Sequence, residues 1–337
     1  MKNPAFLTAL LRPRAEENRL SLRLFCVVLA VFVLMSALKP SLFPTAGNLS
    51  SMATQFPEYG VMAIGVSLTM ISGGIDLAVV GIANLSAVAA AKFLVSAAPR
   101  GTPAGEALFP VLCAIAFALA IGVLCGAFSG ALISCFRIPP ILATLGAGQL
   151  FGGAAIVLTA GRPISGMHGL FLSALNTEIA GFLPLPFVLY ALIACAVHIV
   201  LTKSTFGIKL FLLGANPKAA LYAGLANRRI ILTTYMISGA LAAAAGLIMT
   251  ARTNSAKADY GSSYTLQCVL IAVLGGVDPA GGRGSVLGVT FAVLILQFLS
   301  SGLNMFDTLS NFYRDVIWGA VLILALIANW QLSRRKG

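Results

Sequence analysis

The sequence is poor in charged residues and especially poor in acidic ones. Only 9% of its 337 residues are charged, 10 of them are Asp or Glu, and 59% are hydrophobic. So few polar residues cannot cover the surface of a water-soluble globule of this length. Apolar runs reach about 20 residues, which is the length of a helix that crosses a bilayer. The composition excludes a soluble globular protein and predicts an all-α polytopic membrane protein.

Several signatures of nucleotide, metal and disulfide chemistry are also missing. No Gly-x4-Gly-Lys-Ser/Thr motif occurs, so the chain lacks a P-loop and any ATP energy must come from a partner. The six cysteines show no C-x-x-C spacing, and His168 and His198 are isolated. The basic residues form no continuous face of the kind that binds nucleic acid. We therefore expect no disulfide, metal, cofactor or nucleic acid.

The apolar runs predict about ten transmembrane helices. They are expected at 24–38, two within 59–98, 108–134, 141–160, a span ending near 201, 231–250, 264–277, 284–303 and 313–330. With both termini cytosolic, the inner segments carry most of the 22 Lys and Arg residues, as the positive-inside rule requires. A cleaved signal peptide is the alternative for the N-terminus, but no persuasive cleavage site follows the first run.

This topology divides the chain into three parts. Residues 1–23 form a cytosolic N-terminal segment, 24–330 the transmembrane domain, and 331–337 a cytosolic tail. A cytosolic loop at 202–229 interrupts the transmembrane domain. It contains the longest polar and basic break in the chain, Phe206 to Arg229.

This break predicts a short helix outside the membrane. Asn216 is a favoured N-cap, and Pro217 fits the first helical position because its missing N–H would be unpaired there anyway. Gly224 suits a left-handed C-cap, which leaves a helix from Pro217 to Ala223.

One face of this short helix is made of small residues. Ala219, Ala220 and Ala223 share it at helical spacing, so the backbone of another protein can approach closely. Leu221 and Tyr222 offer apolar contacts beside it. The segment is therefore either a docking helix or a surface connector between spans.

Two breaks in the apolar runs echo each other. Gly-Gly-Ile-Asp at Gly73 to Asp76 and Gly-Gly-Val-Asp at Gly275 to Asp278 each fall at the predicted inner end of a span. Such breaks expose helix ends and backbone groups, from which transporters build polar sites. Gly73, Gly74 and Asp76 are therefore candidates for a translocation pathway. The alternative is a tight cytosolic turn with a hydrated aspartate.

Polar residues inside the predicted spans need a partner or a water-filled path. The candidates for the translocation pathway are Asn84, Ser86, Thr144, Gln149, Gln267, Gln297 and Asn304. Hydrogen bonds between helices explain any one of them equally well. By contrast, close helix packing fully explains the small residues that recur at every fourth position, Gly122, Gly126 and Gly130.

Several motifs resemble a known family. They are SGGIDLA, PPILATLGAGQLFGGAAIVLTAGRPISG, LGANPKAALYAGL, SGALAAAAGLIMTARTNSA and VLGGVDPAGGRGSVLG. In order and spacing, from about Gly60 to Ala325, the chain resembles the permease subunits of bacterial ABC importers of the ribose and galactose type. That family also includes autoinducer-2 and other sugar permeases.

The resemblance implies an all-helical inner-membrane permease without enzymatic activity. Such a subunit dimerises, receives solute from a periplasmic binding protein, and couples to a separate ATPase through its cytosolic loop. Five residues match the family's coupling-loop pattern, namely Gly214, Asn216, Ala219, Ala220 and Gly224. With Pro217 and Tyr222 of the same helix, they are the expected ATPase-coupling residues.

The chain departs from the family in places that bear on the solute. Gly152 and Gly153 stand where the family often has Arg-Gly, and Thr265 and Gln267 stand where it has an acidic pair. The changes indicate a different solute or one half of a heterodimer rather than a homodimer. A pentose, a hexose, a furanosyl signal, a nucleoside and a polyol all stay open.

Two other classes of membrane protein are weighed against the importer. An ion-coupled secondary transporter commonly needs buried acids, and Asp76 and Asp278 are the only inward candidates in the sequence. A scaffold or membrane enzyme would need catalytic residues grouped at one level, and none group in the predicted topology.

Overall fold

The structure, a computed structural model, describes residues 4–179 and 183–306 together with positions 316, 319, 320 and 323. The described chain is almost wholly helical. The helices are α1 Pro4–Leu38, α2 Ala46–Ile71, α3 Val79–Ala97, α4 Ala104–Ser134, α5 Pro140–Thr159, α6 Gly169–Asn176, α7 Leu185–Lys203, α8 Thr205–Ala215, α9 Pro217–Tyr222, α10 Asn227–Thr253, α11 Tyr264–Leu274 and α12 Val286–Leu303.

Four two-residue strands complete the described elements. They form two antiparallel pairs, β1 Ile164–Ser165 with β4 Ser255–Ala256 and β2 Glu178–Ile179 with β3 Leu183–Pro184. Seven helical segments are long and apolar enough to cross a membrane, namely Leu20–Leu38, α3, α4, α5, α7, α10 and α12. The prediction of an all-α polytopic membrane protein is confirmed.

Helix α2 is the centre of the bundle. It is buried from Phe56 to Ile71 and packs against α7, α10, α11 and α12. Its main hydrophobic cluster includes Val61, Ile64 and Met70, none of which is exposed. Because protein rather than lipid surrounds it, α2 tolerates polar residues. The helix begins at Ala46, where the side chain of Thr45 caps it by accepting from the N–H of Asn48, well before the apolar run that was predicted to start at residue 59.

The most extensive helix pairing joins α4 to α10. Glycines on α4 allow it: a Cβ on Gly126 would lie 2.1 Å from the carbonyl oxygen of Tyr235, and one on Gly122 would lie 2.4 Å from that of Gly239. Backbones approach this closely only where a side chain is absent. The predicted packing role of the small-residue row on α4 is confirmed.

The predicted spans at 264–277 and 313–330 are not found as full membrane-crossing helices among the described residues. Helix α11 has 11 residues, and at 1.5 Å per residue it is about 16 Å long, roughly half of a hydrocarbon core. The predicted full span at 264–277 was therefore wrong. The tenth span, at 313–330, lies almost entirely outside the described residues. The total of ten spans, the cytosolic placement of both ends and the three-part division of the chain stay predictions.

Candidate functional site

The predicted short helix is present as α9, Pro217–Tyr222. The side chain of Asn216 caps it by accepting from the N–H of Ala219 at 3.0 Å. At its other end Gly224 has φ 80°, and the N–H of Leu225 donates to the carbonyl of Ala220 at 3.0 Å. The N-cap, Pro217 and the left-handed glycine act as the sequence predicted, although the helix ends one residue early.

The outer side of α9 and the start of α10 form one exposed surface, which we call the candidate docking face. It comprises Lys218, Ala219, Leu221, Tyr222, Arg228 and Arg229. Tyr222 is 91% exposed and Leu221 is 62% exposed, while residues 202–230 contain no acid. Ala220 was expected on this face, but it is buried against the rest of the protein. The face is therefore apolar and basic.

An exposed cysteine borders the candidate docking face. Cys135 follows the end of α4, and hydrogen bonds from the side chains of Arg228 and then Ser134 lower the pKa of its thiol. A lower pKa raises the thiolate fraction, which is the reactive form. Cys135 must therefore be replaced before this surface is studied with thiol reagents.

Gly214, two positions before the N-cap of α9, lies where three backbone segments meet. A Cβ on Gly214 would lie 1.8 Å from the carbonyl oxygen of Ile71 and 2.5 Å from the nitrogen of Gly282. The N–H of Gly282 itself donates to that Ile71 carbonyl at 2.9 Å. The end of α8, the end of α2 and the loop after α11 therefore meet at one point, directly beside α9.

The two Gly-Gly-x-Asp breaks share one local structure. Gly73 and Gly276 have φ of 88° and 83°, and each follows the last residues of a helix, α2 or α11. In each break, the next N–H donates to the carbonyl five residues earlier, a Schellman motif. The bonds run from Gly74 to Thr69 at 3.0 Å and from Val277 to Ala272 at 2.9 Å. The two helix ends are therefore alike, but the motifs are out of register: the glycine with positive φ is the first of the pair in one break, Gly73, and the second in the other, Gly276.

The aspartates of the two breaks lie in different surroundings. Both close an Asx turn, Asp76 with the N–H of Ala78 at 3.0 Å and Asp278 with that of Ala280 at 2.9 Å. Asp76 is fully buried and also accepts from the hydroxyl of Ser238 at 2.8 Å, whereas Asp278 is partly exposed. The alternative of a turn with a hydrated aspartate is wrong for Asp76.

A polar cavity of about 160 Å³ lies between the first half of α2, the last turn of α10, the start of α11 and the end of α12. Its polar lining includes Gln55, Tyr59, Arg252, Gln267, Gln297 and Asn304. The side-chain oxygen of Gln267 is buried and has no hydrogen-bond partner among the described residues. Pockets for drug-sized ligands are larger, roughly 300–1,000 Å³, so this volume suits a small polar solute.

An ion pair in this cavity was missed from the sequence. Glu58 is fully buried on α2, and Arg252 in the last turn of α10 donates to it through Nε and through Nη2, the latter at 3.1 Å. Glu58 therefore joins Asp76 as a buried acid, and Asp278 does not. The sequence feature that could have indicated Glu58 is an acidic residue beside an apolar run, in a chain that has only 10 acidic residues.

The remaining candidates lie away from the cavity. Asn84 on α3 is buried and donates to the carbonyl of Ala258 at 2.8 Å, and Thr144 is buried with its hydroxyl 3.0 Å from the carbonyl oxygen of Ile75. Gln149 is exposed on α5. Hydrogen bonds from a helix to a loop therefore account for the positions of Asn84 and Thr144. Of the predicted polar set, only Gln267, Gln297 and Asn304 line the cavity.

Comparison with known proteins gives consistent matches along most of the chain. Residues 48–326 match the family described as "Branched-chain amino acid transport system / permease component". The autoinducer 2 import system permease protein LsrD of Klebsiella pneumoniae is 34% identical over 312 residues, which cover 91% of this chain and 90% of that protein. No solved structure matches the chain significantly.

Two ribose import permease proteins named RbsC are also similar to the chain. The Bacillus subtilis protein is 32% identical over 93% of this chain and 92% of its own length. The Escherichia coli K12 protein is 29% identical over 90% of this chain and 91% of its own. Together with the seven helices of the described residues that are long and apolar enough to cross a membrane, these relatives identify a multi-pass protein of the bacterial inner membrane. The chain belongs to the matched family of permease components, and within it to the ribose/galactose-type ABC importer permeases that its sequence motifs resemble.

Proposed function

We propose that the chain is the membrane permease subunit of an ATP-driven importer that moves a sugar or sugar-like solute from a periplasmic binding protein into the cytosol. Relatives that share about a third of its sequence are named for import of ribose and autoinducer 2, which favours such a solute over an amino acid. The observation that carries the proposal is α9, a capped and exposed helix that closely follows the junction of Gly214 with the end of α2 and the loop after α11.

The expected ATPase subunit binds the candidate docking face. Tyr222 and Leu221 supply exposed apolar surface, and Lys218, Arg228 and Arg229 surround it with positive charge. Interfaces match opposite potentials, so the complementary surface is an apolar groove with an acidic rim. A second permease subunit, identical or different, completes the transmembrane part.

The mechanism we propose is alternating access driven from outside the chain. Closure of the ATPase subunits displaces α9, and the backbone contacts of Gly214 pass that displacement to the end of α2 and to the loop after α11. Gln55 and Tyr59 of α2 and the start of α11 line the polar cavity. A small shift beside α9 therefore changes the access to the cavity without any covalent chemistry in the permease.

Cross-linking tests the docking contact. A Tyr222→Cys variant, made in a Cys135→Ala background, is cross-linked in cells that contain the complete transport system. We expect capture of an ATP-hydrolysing subunit. Cysteine at Phe109, which is 75% exposed at the other end of the bundle, is the control and should capture none. Failure of Tyr222→Cys to capture the ATPase in a well-inserted protein contradicts the proposal.

Energy coupling separates the importer from an ion-coupled secondary transporter. Proteoliposomes that contain the permease and its ATPase subunit receive either ATP without an ion gradient or an ion gradient without ATP. We expect uptake with ATP only. Uptake that depends on the gradient and persists without ATP identifies a secondary transporter instead.

A further inference from the structure

We propose that the polar cavity between α2, α10, α11 and α12 is a recognition site for an uncharged, polyhydroxylated solute, with Arg252 as its specificity-determining residue and Glu58 as the residue that positions Arg252. The inference rests on the proposed function and deepens it, since it names the site and the residues that recognise the solute. Three observations carry it: the donors and acceptors that face the cavity, its net charge, and its place in the molecule.

The cavity offers both donors and acceptors. Arginine has five N–H donors, and Glu58 accepts two from Arg252, through Nε and Nη2, so three stay available. The unpartnered side-chain oxygen of Gln267 is an acceptor at the same cavity. A hydroxyl group both donates and accepts, so a polyol satisfies the two residues together.

The charges at the cavity cancel. Arg252 is the only charged residue among those that line it, and Glu58, fully buried behind Arg252, neutralises it with a bidentate pair. An anion would meet a guanidinium that is already paired, and a cation would find no exposed carboxylate. The cavity therefore favours a neutral solute.

Apolar surface is present beside the polar groups. The rings of Tyr59 and Tyr264 meet with their centroids 5.6 Å apart, and both line the cavity together with Leu296. Binding sites for small molecules combine such apolar surface with a few placed polar groups. The carbon skeleton of a polyol has a surface to contact while its hydroxyls bond to Arg252 and Gln267.

The position of the cavity fits an entry site. Arg252 lies 25 residues along α10 from Asn227, which adjoins the candidate docking face, so the two are about 38 Å apart along the helix axis. That distance approaches the thickness of a bilayer with its headgroups, about 40–45 Å. With α9 on the cytosolic side, the cavity opens near the outer face, where a binding protein delivers its solute.

The test uses proteoliposomes that contain the complete transporter and its solute-binding protein. The probes are radiolabelled D-ribose, D-galactose and ribitol, each with ATP inside, and ATP hydrolysis is measured in the same vesicles. We expect Arg252→Gln to lower the solute imported per ATP by roughly tenfold or more, because it removes charge-assisted hydrogen bonds to the solute. The control Lys257→Gln, an exposed ion-pair residue outside the cavity, should import as wild type does.

A second variant tests the charge balance. Glu58→Gln leaves the Arg252 charge uncancelled, so we expect it to admit D-ribonate, an anion that the wild type excludes. The double variant Glu58→Gln with Arg252→Gln restores neutrality and should exclude D-ribonate again. This pattern separates recognition from a merely structural ion pair, which would change protein yield and not the preference for charge.

Each outcome has one meaning. If the wild-type complex imports none of the neutral probes with ATP, the assignment of the cavity to pentoses, hexoses and polyols fails. If it imports a probe equally well without ATP, the proposed function fails. If the wild type imports a probe and Arg252→Gln imports it with the same KM and the same solute per ATP, the cavity is not the recognition site. Import of D-ribonate by the wild type overturns the assignment of a neutral solute.

Discussion

Asp76 is a buried carboxylate that is satisfied by hydrogen bonds. One oxygen accepts from the N–H of Ala78 and the other from the hydroxyl of Ser238, at 3.0 and 2.8 Å. The residue therefore closes the turn after α2 and ties that turn to α10. This role needs two acceptor oxygens in fixed positions. Aspartate has both, whereas asparagine has one acceptor oxygen and one amide donor.

Substitutions at Asp76 separate its geometry from its charge. Asp76→Ala leaves the Ala78 N–H and the Ser238 hydroxyl buried and unpaired, and we expect a loss of about 1–3 kcal/mol in the free energy of unfolding. Asp76→Asn keeps an acceptor for Ala78 and offers an amide donor to Ser238, so most stability should remain. Thermal unfolding of the purified protein in detergent measures both. Equal losses in the two variants would show that the negative charge itself is needed.

Asn84 and Glu58 show what the composition does not reveal about single residues. Asn84 was visible as a polar residue in an apolar run, and the structure uses it to bond a loop rather than to line the cavity. Glu58 adjoins the predicted start of a span and was not among the candidates, yet it accepts two hydrogen bonds from Arg252 beside the cavity. The sequence can indicate that a polar group is buried, but it does not indicate which residue forms its hydrogen bond.

At the scale of elements, α4 and α10 are held at a separation that only glycine permits. A Cβ on Gly126 would lie 2.1 Å from the Tyr235 carbonyl oxygen, so Gly126→Ala must push the helices apart. We expect a loss of about 1–3 kcal/mol in the free energy of unfolding, the usual effect of overpacking. Thermal unfolding is again the measurement.

The matched control is another glycine inside a helix. Gly146 on α5 is exposed, and a Cβ there meets nothing within 4 Å. Gly146→Ala should therefore stabilise the protein by roughly 0.5–1 kcal/mol, because alanine loses less backbone entropy on forming a helix. If Gly126→Ala is as stable as Gly146→Ala, the close approach of α4 and α10 is wrong.

The link from α8 to α2 makes a prediction about coupling. In Gly214→Ala the new methyl group would lie 1.8 Å from the Ile71 carbonyl oxygen, so the end of α8 must move away from the end of α2 and the loop after α11. We expect the solute imported per ATP to fall on the order of tenfold, which corresponds to about 1.4 kcal/mol. Uptake and ATP hydrolysis are measured together in proteoliposomes.

The control for this variant lies on the same helix. Leu212 is 53% exposed on α8, so Leu212→Ala removes volume without touching the junction and should transport normally. If a well-folded Gly214→Ala variant imports as much solute per ATP as the wild type, the displacement of α9 must reach the interior by another route.

At the scale of the whole molecule, the candidate docking face and the polar cavity lie at opposite ends of α10. The positive-inside rule predicts that the docking end lies in the cytosol. A membrane-impermeant thiol reagent should therefore label Lys257→Cys in intact cells, and label Lys218→Cys only after the membrane is opened. The background replaces the exposed native cysteines Cys26, Cys135 and Cys195 by alanine. Labelling of Lys218→Cys in intact cells would invert the topology.

The sequence by itself determined the class of the protein, the membrane location, the family, the breaks after α2 and α11, and the caps of α9. Each of these depends on composition, on apolar run length, or on residues within about five positions, where Asn, Pro and Gly act through local backbone geometry. Periodicity could also assign the small-residue row on α4 to packing.

Only the tertiary structure decided which polar groups share a cavity and which surface stays open. Glu58 and Arg252 are 194 residues apart in the chain, and Gly214 meets Ile71 and Gly282 across three separate segments. Ala220 and Tyr222 are two positions apart on one helix, yet one is buried and the other is 91% exposed. Such pairings depend on how helices pack against each other, and hydropathy along a single helix carries no record of its neighbours.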